Sequence, residues 1–579
     1  MSSKDCHVAD LLALCTSHLD KQDEVHKEID SLRENDYPLD VGRVVKIVST
    51  VRQSAGDHSR LQDVYTQLVN VVGIPSLVRC LLSRLKEWNL AGTVKGPDDD
   101  GLVLPLVCLY SDVLCALVSK SGWDEDDDEN VVDVVLELVM AVLERCLPAV
   151  SDNDVNVERS GTMCKNETKS LLDLAFHALT FTSKLNSHCC CEHSKQRLQQ
   201  MTPILLLVCG MHWKHHNWTN ASIVKTTHKL ADIFINICKQ KSINELLSGQ
   251  PGSHKGHLGD ILKLLRPHLK KNLIAHAHMA MTSFHWCLQR VRHPTIGPHL
   301  PSLTPSLLLS VDTYESHIKI LGLECMNRVI NEVDPSELRL YDRAEVIYAA
   351  LKPHVYTNDP TVLRHLYPPL LGIIQVLEPI AQRMRHVGRR GKLDEVFSTI
   401  LSSALCEGKI AVRRAHASHL HRFVAAMGIG GCKHLRRLLD LIFCYLEFPD
   451  VDMEETRLSA MRTLEVIIQQ MWPRMPVHGT DVAKRIIRLI VECSKGERSD
   501  DQLRERDDCE LTIRDVTIDY FRDFAESDAR CGILLASFKC LVLLLRCCGE
   551  RVRGEVESVR NTKDHATVGH VVDMAFRLM

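Results

Sequence analysis

Apolar residues recur every three or four positions along most of this chain, the spacing of one buried helix face. In the stretch 312–357, Tyr314, Ile318, Leu321, Cys325 and Val329 form such a stripe. Gly322 sits beside it, where a missing Cβ lets a neighbouring backbone approach. Asp312 and Glu315 have capping-box spacing and predict a helix start. Asp334-Pro335-Ser336-Glu337 predicts a second start, with proline at the first helical position. Asp342 with Glu345 predicts a third, ahead of Val346, Ile347, Ala350 and Leu351. The unit is helix, short connection, helix, and neither helix buries its stripe alone.

Comparable starts fall near Tyr314, Thr361, Ile410, Glu454 and Leu511, spaced by about 47, 49, 44 and 57 residues. Those intervals are close to the ~40–47 residues of HEAT and armadillo helix pairs, the last being stretched by a charged insert. The expected fold is all-α: a HEAT/armadillo-like α-solenoid of stacked antiparallel helix pairs. Later stripes support it. Val412, His416, Leu420, Phe423 and Met427 line one helix, which the run Gly428-Ile429-Gly430-Gly431 caps. Leu458, Met461, Leu464, Ile468 and Met471 line another, which stops at Trp472-Pro473. His416 falls on an apolar stripe and reads as a core histidine.

The N-terminal part has the same helical pattern. It shows stripes over 41–50 and 61–72 and apolar helices over 102–119, 131–147, 170–184 and 195–210. Residues 91–101 read as a loop, and the acidic run 123–130 as a solvated connection, since it lacks the central glycine of a calcium loop. Glycines between 249 and 259 predict a break. The expected organisation is a helical region at 1–250, a core at 259–495, a charged insert at 496–510 and closing helices at 511–579. Pro294, Pro298, Pro301 and Pro305 predict turns, not a helix, over 293–305.

Composition narrows the class. Aromatics are only 5% and leucine dominates, which favours helix-on-helix packing over β-sandwiches. A net charge of −4 leaves no electrostatic case for nucleic acid or an anionic membrane. The basic stretch 381–393 has no interleaved aromatics for base stacking, so it reads as a solvated loop or a dock for an acidic partner. The most apolar window, 532–549, contains Lys539 and Arg546 and reads as a buried helix rather than a membrane span. The first residues carry no basic start followed by an apolar run, so no secretory leader is expected. The 23 cysteines are odd in number and scattered at core spacings, which predicts reduced thiols in a cytoplasmic and nuclear protein.

Candidate chemistry is sparse. The cluster 188–193 and the group His212, His215 and His216 lack the paired ligand spacing of a zinc site, so no metal is expected there. No nucleophile elbow, H-E-x-x-H, phosphate loop or kinase set occurs. Neither an enzyme nor a cofactor is expected, and function is assigned to surfaces.

Several segments together are similar to the family of the second Tel-two-interacting protein (Tti-two), between about Leu262 and Arg474. They are Phe284-x-Trp286-x-Leu288-Gln289-x-Val291-x-x-Pro294, Asp312-x-Tyr314 with Lys319-Ile320-Leu321-Gly322, and Tyr341-x-Arg343-Ala344-x-Val346-x-Tyr348. Further along come Arg413-Arg414, Phe423-Val424, His434-Leu435-x-Arg437-Leu438, Tyr445-Leu446-Glu447 and Trp472-Pro473-Arg474. The resemblance implies an α-solenoid and a scaffold subunit of the TTT complex, with Tel-two and Tti-one as partners. It further implies work with Hsp-ninety machinery in the maturation of phosphatidylinositol-3-kinase-related kinases (mTOR, ATM, ATR and the DNA-dependent kinase). Through those kinases it implies roles in checkpoints, telomere maintenance and growth signalling. An independent HEAT-repeat adaptor that carries protein cargo is the alternative. Arg and Trp dominate interface hot spots, so Arg343, Arg413, Arg414, Trp472 and Arg474 are the candidate partner contacts. Asp312, Tyr314, Leu321, Gly322 and Pro473 are the family-motif positions expected to be structural.

Overall fold

A computed structural model of the chain describes residues 128–148, 165–185, 192–250, 254–379, 391–448, 450, 454–494, 518–521, 527–560 and 566–578, with Val78, Leu82, Val107, Ser111 and Leu114. The stripes at 41–50 and 61–72, the loop 91–101, the cysteines at 189–191, the insert 496–510 and the start at Leu511 lie outside the described residues. So does most of the basic stretch 381–393. Two compact units divide the chain, residues 1–313 and 314–579.

In the first unit, α1 (Asp128–Arg145), α2 (Lys165–Leu185), α3 (Glu192–His212) and α4 (Ala221–Ile237) pack against one another. Residues 201–212 of α3 are buried without interruption. Four helices cover them: α1, α4, α6 (Leu258–Leu265) and α7 (His278–Arg290). A helix walled on several sides needs no polar face, so it shows little of the usual alternation. Gly210 sits where α3 meets α7. A Cβ there would lie 2.5 Å from Ser283 Oγ and 3.0 Å from Ser283 Cα. The Ser283 hydroxyl already donates to the Leu207 carbonyl at 2.9 Å inside the core. Gly210→Ala is expected to destabilise the first unit by about 1–3 kcal/mol despite alanine's better helix propensity. Urea unfolding followed by circular dichroism checks this; a stabilised variant would mean that α7 moves aside at no penalty.

Between α5 (Ile243–Ser248) and α6, the glycine-rich stretch forms a short antiparallel hairpin, β1 (Gly249–Gln250) with β2 (His254–Lys255). The proline corner departs from expectation. Residues 297–299 make a turn of 3-10 helix, but Pro301 and Pro305 lie inside α8 (Leu300–Asp312). Pro301 occupies the first turn, where no N–H has an intrahelical partner anyway. The N–H missing at Pro305 leaves one carbonyl, that of Pro301, without its helical bond. Two prolines one turn apart at a helix start therefore remove little.

The second unit is a two-layered stack. Its first layer is α9 (Ser316–Glu332), α12 (Pro360–Leu377), α14 (Ile410–Met427), α16 (Glu455–Gln470) and α18 (Asp528–Cys548), each packed on the next. Its second layer is α11 (Arg343–Leu351), α13 (Lys392–Cys406), α15 (Leu435–Glu447) and α17 (Met475–Cys493), each resting on the first-layer helix that follows or precedes it. This is the HEAT-like pairing that the repeat starts predicted. The observed first-layer starts at 316, 360, 410 and 455 fall within two residues of the predicted ones. Short α10 (Pro335–Arg339) begins as expected, with Asp334 accepting from the Ser336 N–H at 2.7 Å. At the end of α14, Gly428 adopts φ +55° and its N–H bonds the Val424 carbonyl, which is the left-handed cap only glycine takes readily.

Aromatic and histidine side chains join neighbouring helices of the first layer. Tyr367 Oη lies 2.6 Å from His416 Nδ1, and the Tyr367 ring meets Phe423 edge-on at 5.6 Å. His416 is thus a partnered core residue. α18 is long and apolar enough to cross a membrane by length and composition, but 67% of its most apolar window is buried, against α16, α17 and α19 (Ala566–Arg577). A helix covered by protein in this way is a core helix of the stack.

Candidate partner-binding edges

A first-layer helix begins at one edge of the second unit and ends at the other, about 24 Å away for 16 residues at 1.5 Å each. Side-chain contacts between successive helices run along both edges. Where first-layer helices begin, Ser316 Oγ donates to Asp359 at 3.0 Å and Arg364 pairs with Glu455 at 3.1 Å. Arg414 also pairs there with Asp450 at 3.0 Å. Where they end, Arg339 donates to the Val376 carbonyl at 3.0 Å and the Cys547 thiol to the Trp472 carbonyl at 3.2 Å. Large apolar side chains stand exposed at each edge. The beginning edge carries Tyr314, Tyr356, Ile410 and Phe448, and the ending edge Leu340, Tyr341, Ile429 and Trp472. Each lies in or beside a connection between helices. An apolar side chain that recurs at connections gains nothing from the core and suits a covering partner.

The candidate residues divide between these edges. Trp472, Pro473 and Arg474 form an exposed 3-10 turn on the ending edge, with Trp472 60% exposed. Arg343 starts α11 on the same edge; its guanidinium lies 5.1 Å from the Tyr341 ring and donates to the Glu337 carbonyl at 3.3 Å. Arg413 and Arg414 belong to the beginning edge. Arg413 donates to the Glu407 carbonyl at 2.8 Å and its guanidinium sits 5.8 Å from the Phe448 ring. Arg414 is engaged by Asp450, whose carboxylate also accepts from the Thr456 N–H at 2.9 Å and so caps α16. Burial by itself would raise the Asp450 carboxyl, but hydrogen bonds from Thr456 and the Arg414 guanidinium outweigh it and hold it below its usual value.

Several family-motif positions stand elsewhere than expected. Asp312 is the last residue of α8, not a cap; Glu315 precedes α9 and makes no side-chain cap bond. Tyr314 is 75% exposed and lies outside the helix, so it is not on the core stripe. Leu321 is half-buried, and Leu323 takes a core position instead, while Gly322 is buried as expected. Val346 is likewise exposed; Ala344, Ile347, Tyr348 and Leu351 make the buried face of α11. Ile318, Cys325 and Val329 are buried as the first stripe predicted, and Ile347 and Leu351 as the second did, so each stripe keeps its phase and only single positions at its margin fall outside the covered arc.

One polar cluster went unforeseen. Arg457, 4% exposed, donates to Glu492 at 2.9 Å and to the Glu447 carbonyl at 3.3 Å, and lies 3.6 Å from Glu454. Burial raises the Glu454 carboxyl, with Arg457 pulling the other way. Its signal in sequence is an acidic-basic i, i+3 pair at a helix start, which also describes any solvated first turn.

Among the described residues no group of three His, Cys, Asp or Glu is placed to hold a metal ion. His212, buried, has its ring pushed down to about 4 by burial. His193 instead contacts Asp133 at 2.9 Å. Burial pushes the thiols of Cys146, Cys209 and Cys287 up to about 12, so none supplies a thiolate nucleophile at neutral pH.

Residues 275–452 match the Tti2 family. TELO2-interacting protein 2 from Rattus norvegicus is 27% identical over 379 residues, 65% of this chain and 69% of the relative. The Homo sapiens protein of that name is 29% identical over 360 residues, 61% of this chain and 65% of the relative. Among solved structures, Kap121p gives a TM-score of 0.38 at 12% identity, covering 97% of this chain and 58% of that one. Yeast importin-β (Kap95p) gives 0.39 at 11% identity, covering 100% of this chain and 72% of that one.

Proposed function

This chain carries Tti2-family sequence at residues 275–452 and is a homologue of TELO2-interacting protein 2 over 65% of its length, and from that premise we propose that it is a non-enzymatic scaffold subunit of a TTT-type complex. Its partners there are a TELO2-type protein and a Tti-one-type protein, in the cytoplasm and nucleus. In that role it supports the maturation and stability of phosphatidylinositol-3-kinase-related kinases together with Hsp-ninety machinery. The sequence match carries this reading, since the names of the relatives state what they interact with. The exposed apolar side chains on both edges of the second unit are in keeping with it, because a constitutive subunit covers such groups with its partners.

The test is co-expression of the full-length chain, tagged, with its TELO2-type and Tti-one-type counterparts. A stoichiometric complex that survives high salt is the expected result. Salt-labile capture of varied cargo, with neither counterpart retained, would favour the transport adaptor and sink the proposal. Within that complex, Trp472→Ala combined with Arg474→Ala is expected to weaken capture of the Tti-one-type protein by about tenfold or more, at unchanged helical content. Both side chains are exposed, so their removal leaves the core alone. Equal capture by the double variant would take the ending edge out of the interface.

A further inference from the structure

Within the first unit, α6, the end of α7 and the proline-bearing start of α8 line a groove of about 1470 Å³. Small-molecule pockets run to roughly 300–1,000 Å³. The charge of the lining is one-sided. Lys263, Arg266, Lys270, Lys271, Arg290 and Arg292 face only two carboxylates, Glu245 and Asp260. Asp260 is occupied by Lys263 at 2.8 Å. Arg290 is held in the wall, its guanidinium 5.0 Å from the Trp213 ring and 4.1 Å from the Trp286 ring, and it donates to the Trp286 carbonyl at 3.2 Å. Arg266, Lys270, Lys271 and Arg292 are exposed, and their side chains have no ion-pair or hydrogen-bond partner among the described residues.

Four uncompensated cations around one concavity raise its potential and concentrate anions there. The chain as a whole is slightly acidic, at −4, so the feature is local and not a reflection of composition. The lining also has an apolar part, made of Leu262, Leu269, Leu309 and the prolines at 294, 298, 301 and 305, set among neutral polar groups such as Asn244, Thr295, Ser302 and Ser306. We propose that this groove docks an acidic, partly apolar peptide segment of a partner protein. The cations meet its carboxylates and the leucines and prolines its apolar side chains, a mode of acidic-motif recognition by basic clusters. Nucleic acid suits the groove less well. The two indoles beside it are engaged by Arg290, and Phe284 is 1% exposed, which leaves no Trp, Tyr or Phe face on which a base stacks. The inference rests on the groove alone, so its failure leaves the family-based function standing.

Fluorescence anisotropy of the full-length chain with a fluorescein-labelled peptide alternating Glu and Leu tests it. Binding is expected, weakening as salt rises. Lys270→Glu with Lys271→Glu is expected to weaken it about tenfold or more at an unchanged melting temperature, since both positions are exposed. A Gln–Leu peptide is expected to bind at least about tenfold more weakly than the acidic one. The proposal is overturned if the wild type ignores the acidic peptide, if the double variant binds it equally, or if the Gln–Leu peptide matches it. Tighter capture of a single-stranded oligonucleotide or of inositol hexakisphosphate than of the peptide overturns it too.

Discussion

Arg457→Ala is expected to destabilise the second unit by about 3–5 kcal/mol, the loss typical of removing one partner from a buried charged cluster. The substitution takes the cation from the buried Glu454 and the Glu447 carbonyl and leaves Glu492 with Arg488 alone, at the junction of α15, α16 and α17. Most of the loss is the penalty for the stranded Glu454 carboxylate, not the worth of the pair. Glu454→Gln introduced with Arg457→Met is therefore expected to cost less than the sum of the two single changes. Urea unfolding of the full-length protein, read by circular dichroism, gives both numbers. A change below about 1 kcal/mol for Arg457→Ala would mean that water already solvates this cluster.

Acid is expected to loosen the same unit well before its carboxylates titrate. Burial pushes the rings of His416 and His419 down to about 4, against an ordinary value of 6.5. A folded value below the unfolded one means that the neutral ring is stabilising. That stabilisation is complete above pH 6.5 and is lost as pH falls from there through 4. At pH 5 each ring forfeits on the order of 1–2 kcal/mol, or about 2–4 kcal/mol together. Burial lowers His421 and His434 as well and adds to the trend. Asp450, held low by its partners, contributes only at the most acid end. Thermal melts between pH 7 and pH 5 measure the slope. His416→Gln with His419→Gln is expected to lower stability at pH 7 and to flatten that slope; parallel slopes for variant and wild type would refute the assignment.

Much of the helix pattern was readable from local periodicity, because a buried helix face repeats at 3.6 residues whatever covers it. The starts at Pro335, Thr361, Ile410 and Glu454 and the glycine cap at 428 came from such short-range signals. So did the core position of His416. The candidate site was legible in a weaker sense. Trp472 and Arg474 are indeed exposed, but Arg414 is engaged by Asp450, 36 residues along the chain. No window that spans one helix contains that pair.

What the chain determined by itself is the succession of amphipathic helices, their approximate starts and their repeat, since these follow from spacing, proline and glycine within a few residues. Tertiary structure alone decided which side of each stripe is covered. It left Tyr314 in solvent, admitted Pro301 and Pro305 to a helix, sealed Arg457 among carboxylates and gathered uncompensated cations from the segments that follow α6 and α7 around one groove. Burial and charge balance depend on neighbours tens of residues away. Only packing brings those neighbours within reach.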